Sequence, residues 1–427
     1  MRFFVFLAGL LCLSVSHNFV SAQEWTRFRG PNGTGQSDCK TIPVEWTEEG
    51  ITWKTKLPGV GHASPVIWGE RVFLLSAEPT TATRHVVCLD AKTGKQLWQR
   101  DFASTPHHLH TRSSFASSTP TVDADHVYVA WSTPAVTTLK ALDHEGKEVW
   151  SKDLGRWVSQ HGFGTSPILY KDLVILHNSQ DAQQLPAGVA PGDSFMMAFD
   201  RKTGEERWRT PLKSVTVSYS VPFIYEPDNG AAELVCTSTG NGIFALDPET
   251  GKQKWAVDAF SSRTVSSPIL AAGLIFGSTG SGSYSGNYIA AVKPGVDASL
   301  SYKLANSSEV KAPYVPCLVA RGDKLFLLYD RGFASCVDAA TGKVIWTERM
   351  RAALSGSPIL VDDRIYVADE EGFVWVIAAD ETAFRVLARN PVGEGSHSTP
   401  AVAGGRLFVR TFSHLVCIAG DEAKAGG

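Results

Sequence analysis

The nonapeptide Asp90-Ala91-Lys92-Thr93-Gly94-Lys95-Gln96-Leu97-Trp98 decides the fold. Gly94 supplies the positive φ that a tight turn demands, and the Asp90 and Thr93 side chains satisfy turn amides, so the stretch reads as a strand-to-strand hairpin with a Trp on its second arm. The same eight-residue step from Asp to Trp recurs ending at Trp208, Trp255 and Trp346, and a version one residue shorter ends at Trp150. Working outward from each turn, the chain shows short β-branched or aromatic segments (71–76, 127–131, 173–177, 324–329 and 364–368), each preceded by a Gly, Asp or Lys turn. A Pro followed by a short apolar strand opens every unit: Pro65, Pro120, Pro167, Pro222, Pro268, Pro316, Pro358 and Pro400.

The openings lie 55, 47, 55, 46, 48, 42 and 42 residues apart, the length of a four-stranded propeller blade and too long for ankyrin or leucine-rich units. Eight openings predict an all-β, eight-bladed β-propeller of four-stranded antiparallel blades. In units five and seven the closing motif decays, and Tyr302 and Val386 take the Trp place. The eighth unit has only three strands before the chain ends. Its missing strand is expected at the other terminus, where Trp53 stands twelve residues before Pro65, as Trp346 stands before Pro358. Closure by this N-terminal strand removes an open sheet edge that would otherwise template aggregation.

Arg2, the apolar run 3–15 and the small residues Val20-Ser21-Ala22 read as a secretory signal, with the mature chain starting at Gln23. The apolar run falls short of the roughly 20 residues that span a bilayer, so no transmembrane segment is expected in the mature chain. Cys12 lies within the signal, and Leu10-Leu11 before it do not make a lipoprotein box. The expected organisation is signal 1–22, extension 23–49, propeller 50–420 and disordered tail 421–427, exported to the periplasm or cell envelope as a monomer. A net charge of −3 gives no reason to expect a nucleic-acid partner. Six cysteines follow the signal; Cys88, Cys336 and Cys417 hold the same place in three different units, too far apart to bridge, and read as small buried hydrophobes.

The A-x-D-x-x-T-G-K-x-x-W turn resembles the tryptophan-docking motif of the PQQ-type propellers, a family that includes quinoprotein alcohol dehydrogenases and the outer-membrane assembly lipoprotein of the BamB type. The resemblance covers about residues 50–420. It gives Trp53, Trp98, Trp150, Trp208, Trp255 and Trp346 structural docking roles. The stretch 25–35 (WTRFRGPNGTG) is similar to the leader preceding the propeller in many bacterial members. Enzymes of this family hold their quinone between a Trp floor and a disulfide of adjacent cysteines, with calcium and a catalytic Asp. This sequence has no Cys-Cys pair and no C-x-x-C-H haem motif.

In a four-stranded blade the A–B and C–D turns share one face, while the B–C loops and D–A connections share the other. The second face carries the long irregular pieces, including 179–194 and 278–287, so the binding face is placed there. Its D–A connections carry His62, His107, His108, His110, His161 and His397, which converge toward the channel and suit polar or acidic ligands near neutral pH. No Cys/His spacing supports a metal site. Arg112, Arg156, Arg263 and Arg351 lie on equivalent connections and offer planar forks for carboxylate or phosphate. The longest connection, 102–119, is expected to cover the channel mouth. No catalytic residue is identified, and no G-x-S-x-G, H-E-x-x-H or Walker motif is present.

The reading is a non-catalytic binding or scaffold module of the envelope that holds a protein segment, polysaccharide or small ligand on its loop face. No cofactor is expected. The alternatives are a degenerate PQQ- and calcium-dependent alcohol or sugar dehydrogenase, and a BamB-like outer-membrane assembly factor.

Overall fold

The computed structural model describes residues 24–183 and 185–420. The expected signal and C-terminal tail lie outside the described residues. The chain forms eight sheets in a ring, an eight-bladed β-propeller. Blade 1 comprises Val66–Trp68, Arg71–Ala77, Arg84–Asp90 and Gln96–Phe102, paired in order and antiparallel, and the pattern repeats around the ring. The last blade joins Ala401–Ala403, Arg406–Arg410 and His414–Ala419 to Trp53–Lys56, with Trp53 opposite Cys417, so the N-terminal strand closes the ring.

Burial follows position within the blade. The two middle strands are sandwiched between neighbouring blades and buried almost throughout, whereas the outer strand is exposed or half-buried along its length. The core is therefore a ring of inter-blade layers: Phe73, Val86 and Cys88 of blade 1 pack on Val127, Val129 and Trp131 of blade 2. Cys88, Cys236, Cys336 and Cys417 are buried free thiols, and Cys88, Cys336 and Cys417 each stand directly opposite a docking Trp.

The repeated turn works as a socket for the preceding blade. Asp90 Oδ1 accepts the N–H groups of Lys92 (3.0 Å) and Thr93 (2.7 Å) and the Thr93 hydroxyl (2.8 Å), which fixes the turn. Gly94 then presents a bare backbone at φ +70, and the Trp53 ring lies where its Cβ would stand. Trp53 Nε1 donates to the Ala91 carbonyl at 3.2 Å. Trp98, Trp150, Trp208 and Trp346 likewise donate to His144, Arg201, Pro248 and Asp380 carbonyls of the next blade. Tyr302 replaces Trp faithfully, its hydroxyl donating to the Ala339 carbonyl at 2.5 Å with the ring against Gly342.

The exceptions have physical reasons. Blade 5 lacks the turn motif, so Trp255 donates instead to Glu233 Oε2 of its own blade at 2.7 Å. Val386 in blade 7 faces blade 8, whose outer strand comes from the other end of the chain; there is no continuous turn to dock on, and Val386 stays exposed.

One departure from four antiparallel strands occurs. Blade 7 gains a fifth strand, Gln36–Ser37, parallel to its innermost strand. It belongs to the extension, which lies across the base of the channel. Trp25 bridges to Ile67 of blade 1, Thr26 accepts from Val122 N–H of blade 2, and Arg27 donates to the Pro222 carbonyl at the entrance to blade 4 (2.6 Å). Arg29, fully buried, donates to the Leu318 carbonyl at the entrance to blade 6 (2.6 Å). The extension is therefore an integral floor on which inner strands of several blades are anchored.

Candidate functional site

With its base closed, the channel becomes a blind well open toward the B–C loops and D–A connections, with a volume of about 1240 Å³. Phe28 of the floor, Val221 and Cys317 line its depth. His62, His110, Arg112, His161, Arg263, Arg351 and His397 all line its wall. The connection 102–119 crosses the mouth: Arg112 Nη1 donates to Ser355 Oγ (3.5 Å) and lies 3.6 Å from Glu370, both beyond the far blades.

Three of the ten candidate residues are not gathered there. Arg156 donates to the Ala190 and Pro191 carbonyls and does not line the well. His107 turns back on its own loop, with Nδ1 at 3.0 Å from the Thr105 carbonyl and its ring against Phe115. His108 points into solvent. Neither lines the well.

The imidazoles meet in two pairs, His62 with His397 and His110 with His161, each at 4.6 Å between ring centroids. Burial, then His397 and Arg410, push His62 down to about 3. Burial, then Arg263 and His110, push His161 down to about 4. Arg263 Nη1 donates to His161 Nε2 at 3.3 Å, which requires a neutral ring accepting at that nitrogen. His62 and His161 are therefore neutral hydrogen-bonding groups of the wall near pH 7.

Three cationic or anionic residues that matter most escaped the sequence reading. Arg331 sits in the tight B–C loop of blade 6, Arg349 ends its outer strand, and Asp330 is buried beside them. Asp330 accepts the N–H groups of Tyr314 (2.7 Å) and Val315 (3.0 Å), and burial raises its pKa. A signal was present: Asp330-Arg331-Gly332 follows a buried strand and faces the same way as Arg351. At the floor, burial alone would push the Cys317 thiol up, but Arg29 and the hydrogen bonds from Ser357 and Ser267 hold it below the usual thiol range.

Calcium and the quinone that the resemblance would bring can be tested against these donors. Among the described residues Asp330 is the sole carboxylate lining the well, and its oxygens already serve two backbone amides. Among the described residues no three or more His, Cys, Asp or Glu side chains gather around a point a cation could occupy. Cys317 is the sole cysteine at the well, so no wall of adjacent cysteines forms. The donor set does not fit a calcium-assisted quinone.

Comparison with known proteins places this geometry. The family described as outer membrane protein assembly factor BamB matches residues 44–117 and 287–413. The chain is 25% identical over 361 residues to the BamB of Burkholderia pseudomallei, covering 82% of this chain and 81% of that one. It is 23% identical over 384 residues to the BamB of Yersinia pestis, covering 85% and 87%. Among solved structures, BamB from Moraxella catarrhalis superposes with a TM-score of 0.58 at 14% identity, over 86% of this chain and 98% of that one. The quinohemoprotein alcohol dehydrogenase of Comamonas testosteroni superposes with a TM-score of 0.65 at 14% identity, over 93% and 81%, a likeness of fold. With ring-to-turn docking at six of the eight blade junctions and matches to BamB proteins along four fifths of both chains, this chain is similar to the PQQ-like, BamB-type β-propellers.

Proposed function

We propose that the protein is a non-catalytic binding propeller of the cell envelope, a scaffold that takes part in outer-membrane protein assembly and engages its partner from the loop face. The observation that carries this reading is the match to two BamB assembly factors along more than 80% of this chain and of each of theirs. The well supports it. Its wall is built of hydroxyls, imidazoles and guanidinium groups, and among the described residues it assembles neither a metal-ligand set nor a nucleophile with an adjoining base. Such a surface recognises; it does not activate a bond.

The test is complementation in a cell lacking its own BamB, read as the level of folded outer-membrane proteins. Restoration is expected, and a chain that reaches the envelope yet restores nothing overturns the assembly role. In parallel, the purified protein is titrated with PQQ and calcium and assayed for dye-linked oxidation of alcohols and sugars. Turnover there would overturn the non-catalytic reading.

A further inference from the structure

The whole chain is mildly acidic, with a net charge of −3, yet the well is strongly basic. Arg112, Arg263, Arg331, Arg349 and Arg351 line it against the single carboxylate of Asp330. Two of the five have acidic neighbours, Arg263 with Asp181 at 3.8 Å and Arg112 with Glu370 at 3.6 Å. Arg331, Arg349 and Arg351 have no ion pair among the described residues, and all three come from blade 6, where they form one wall. Like charges gathered without counter-ions repel one another and destabilise the folded state unless something of opposite sign joins them.

We propose that the well receives an extended acidic segment of a partner protein, its carboxylates gripped by the guanidinium forks of Arg331, Arg349, Arg351 and Arg112. This rests on the scaffold reading above and names the chemistry of the partner.

Three observations select this occupant. The volume, about 1240 Å³, exceeds the roughly 300–1000 Å³ of small-molecule pockets and suits several residues of a chain. Planar forks favour carboxylates, which they bind two bonds at a time. Of the rings beside the cluster, Tyr284 has one face taken by the Arg331 guanidinium, 4.1 Å from its centroid, so that face is closed to a stacking sugar ring. The loop Gly280-Ser281-Gly282 at the well lets another backbone approach, Gly282 having nothing within 4 Å of where a Cβ would stand.

The probe is a dye-labelled octapeptide of alternating Glu and Ser, measured by fluorescence anisotropy against the intact protein, with a Gln–Ser octapeptide as its neutral twin. The Glu peptide is expected to bind, with affinity falling as salt rises, and the Gln peptide is expected to bind at least about tenfold more weakly. The triple variant R331Q/R349Q/R351Q should lose at least about tenfold for the Glu peptide, and the triple Lys variant should recover part of it. Arg207→Gln, whose side chain pairs with Asp172 and Asp200 on the opposite face, should change nothing. Far-UV circular dichroism and thermal midpoints confirm that each variant is folded.

Equal binding of the two peptides, or unchanged binding in the triple Gln variant, overturns the proposal. So does polygalacturonate or citrate displacing the peptide at lower carboxylate concentration than unlabelled Glu–Ser peptide, because the site would then be built for a polysaccharide or a small anion. Failure of complementation with peptide binding intact removes the assembly role and leaves the site. Complementation without peptide binding does the reverse.

Discussion

The socket formed by each turn glycine gives a test in which two strains are separated. Gly251, at φ +70, faces Trp208: an added Cβ would stand 2.5 Å from the ring and 2.5 Å from Thr210 Oγ1. Gly322, at φ +57, has nothing within 4 Å of the same position. Ala at either site suffers the left-handed backbone penalty of about 1–2 kcal/mol. Only Gly251→Ala also displaces a buried ring, which adds about 1–3 kcal/mol of overpacking, and the Trp208 Nε1 bond to the Pro248 carbonyl (3.1 Å) is disturbed with it. The expected losses are therefore about 1–2 kcal/mol for Gly322→Ala and about 2–5 kcal/mol for Gly251→Ala. Urea unfolding followed by tryptophan fluorescence measures both. A cycle with Trp208→Leu sharpens the comparison, because removing the ring should reduce the Gly251→Ala loss toward the backbone penalty, with the Thr210 Oγ1 contact remaining. If Gly251→Ala and Gly322→Ala cost the same within about 0.5 kcal/mol, or if the cycle shows no coupling, the turn is not a socket and the docking argument fails.

Further outcomes follow from other parts of the structure. Burial holds the His177 pKa down to about 4, partly countered by the Ser220 carbonyl. Since the unfolded ring titrates near 6.5, the unfolded state takes up the proton first; about 3 kcal/mol present at neutral pH is lost as pH falls from about 6.5 toward 4, and His177→Gln should flatten that part of the stability profile. A thiolate titration at 240 nm should show a component below the usual thiol range that Cys317→Ser removes; Arg29→Met should move it upward, and an unmoved midpoint would deny the Arg29 influence. Trp255→Phe leaves Glu233, a buried carboxylate still paired with Lys254 at 3.2 Å, without its indole donor. It should cost about 1–3 kcal/mol by denaturant midpoint, whereas Glu233→Gln in the same background should recover part of that loss.

The ring was legible because its determinants are local and repeated. Asp90, Thr93 and Gly94 fix a turn within five residues, and the Trp that uses the next turn stands at a constant step, so counting sufficed. The same counting placed Trp53 in the final blade. The floor was not legible: Arg29 and Leu318 are 289 positions apart, and nothing in the leader's own pattern says which carbonyls it will meet. At the well, position along the D–A connections brought seven of ten named residues together, while His107, His108 and Arg156 failed because loop direction, not loop membership, decides where a side chain points. Arg331 and Arg349 were missed because they sit on a loop and a strand end rather than on the connections that were searched.

Closure by Trp53–Lys56 has a consequence for how the chain matures. The strand made among the first residues finds its partner only at Leu415 and Cys417, among the last. During export, every intermediate length presents an unfinished ring with a vacant seam, and the seam seals only when the C-terminal segment arrives. Early truncation or stalled synthesis therefore leaves both the opening strand and the socket around Gly94 out of register with any finished blade, a state recognisable to proteases by its raw edge. The architecture thus registers its own completeness: only a full-length product can shut.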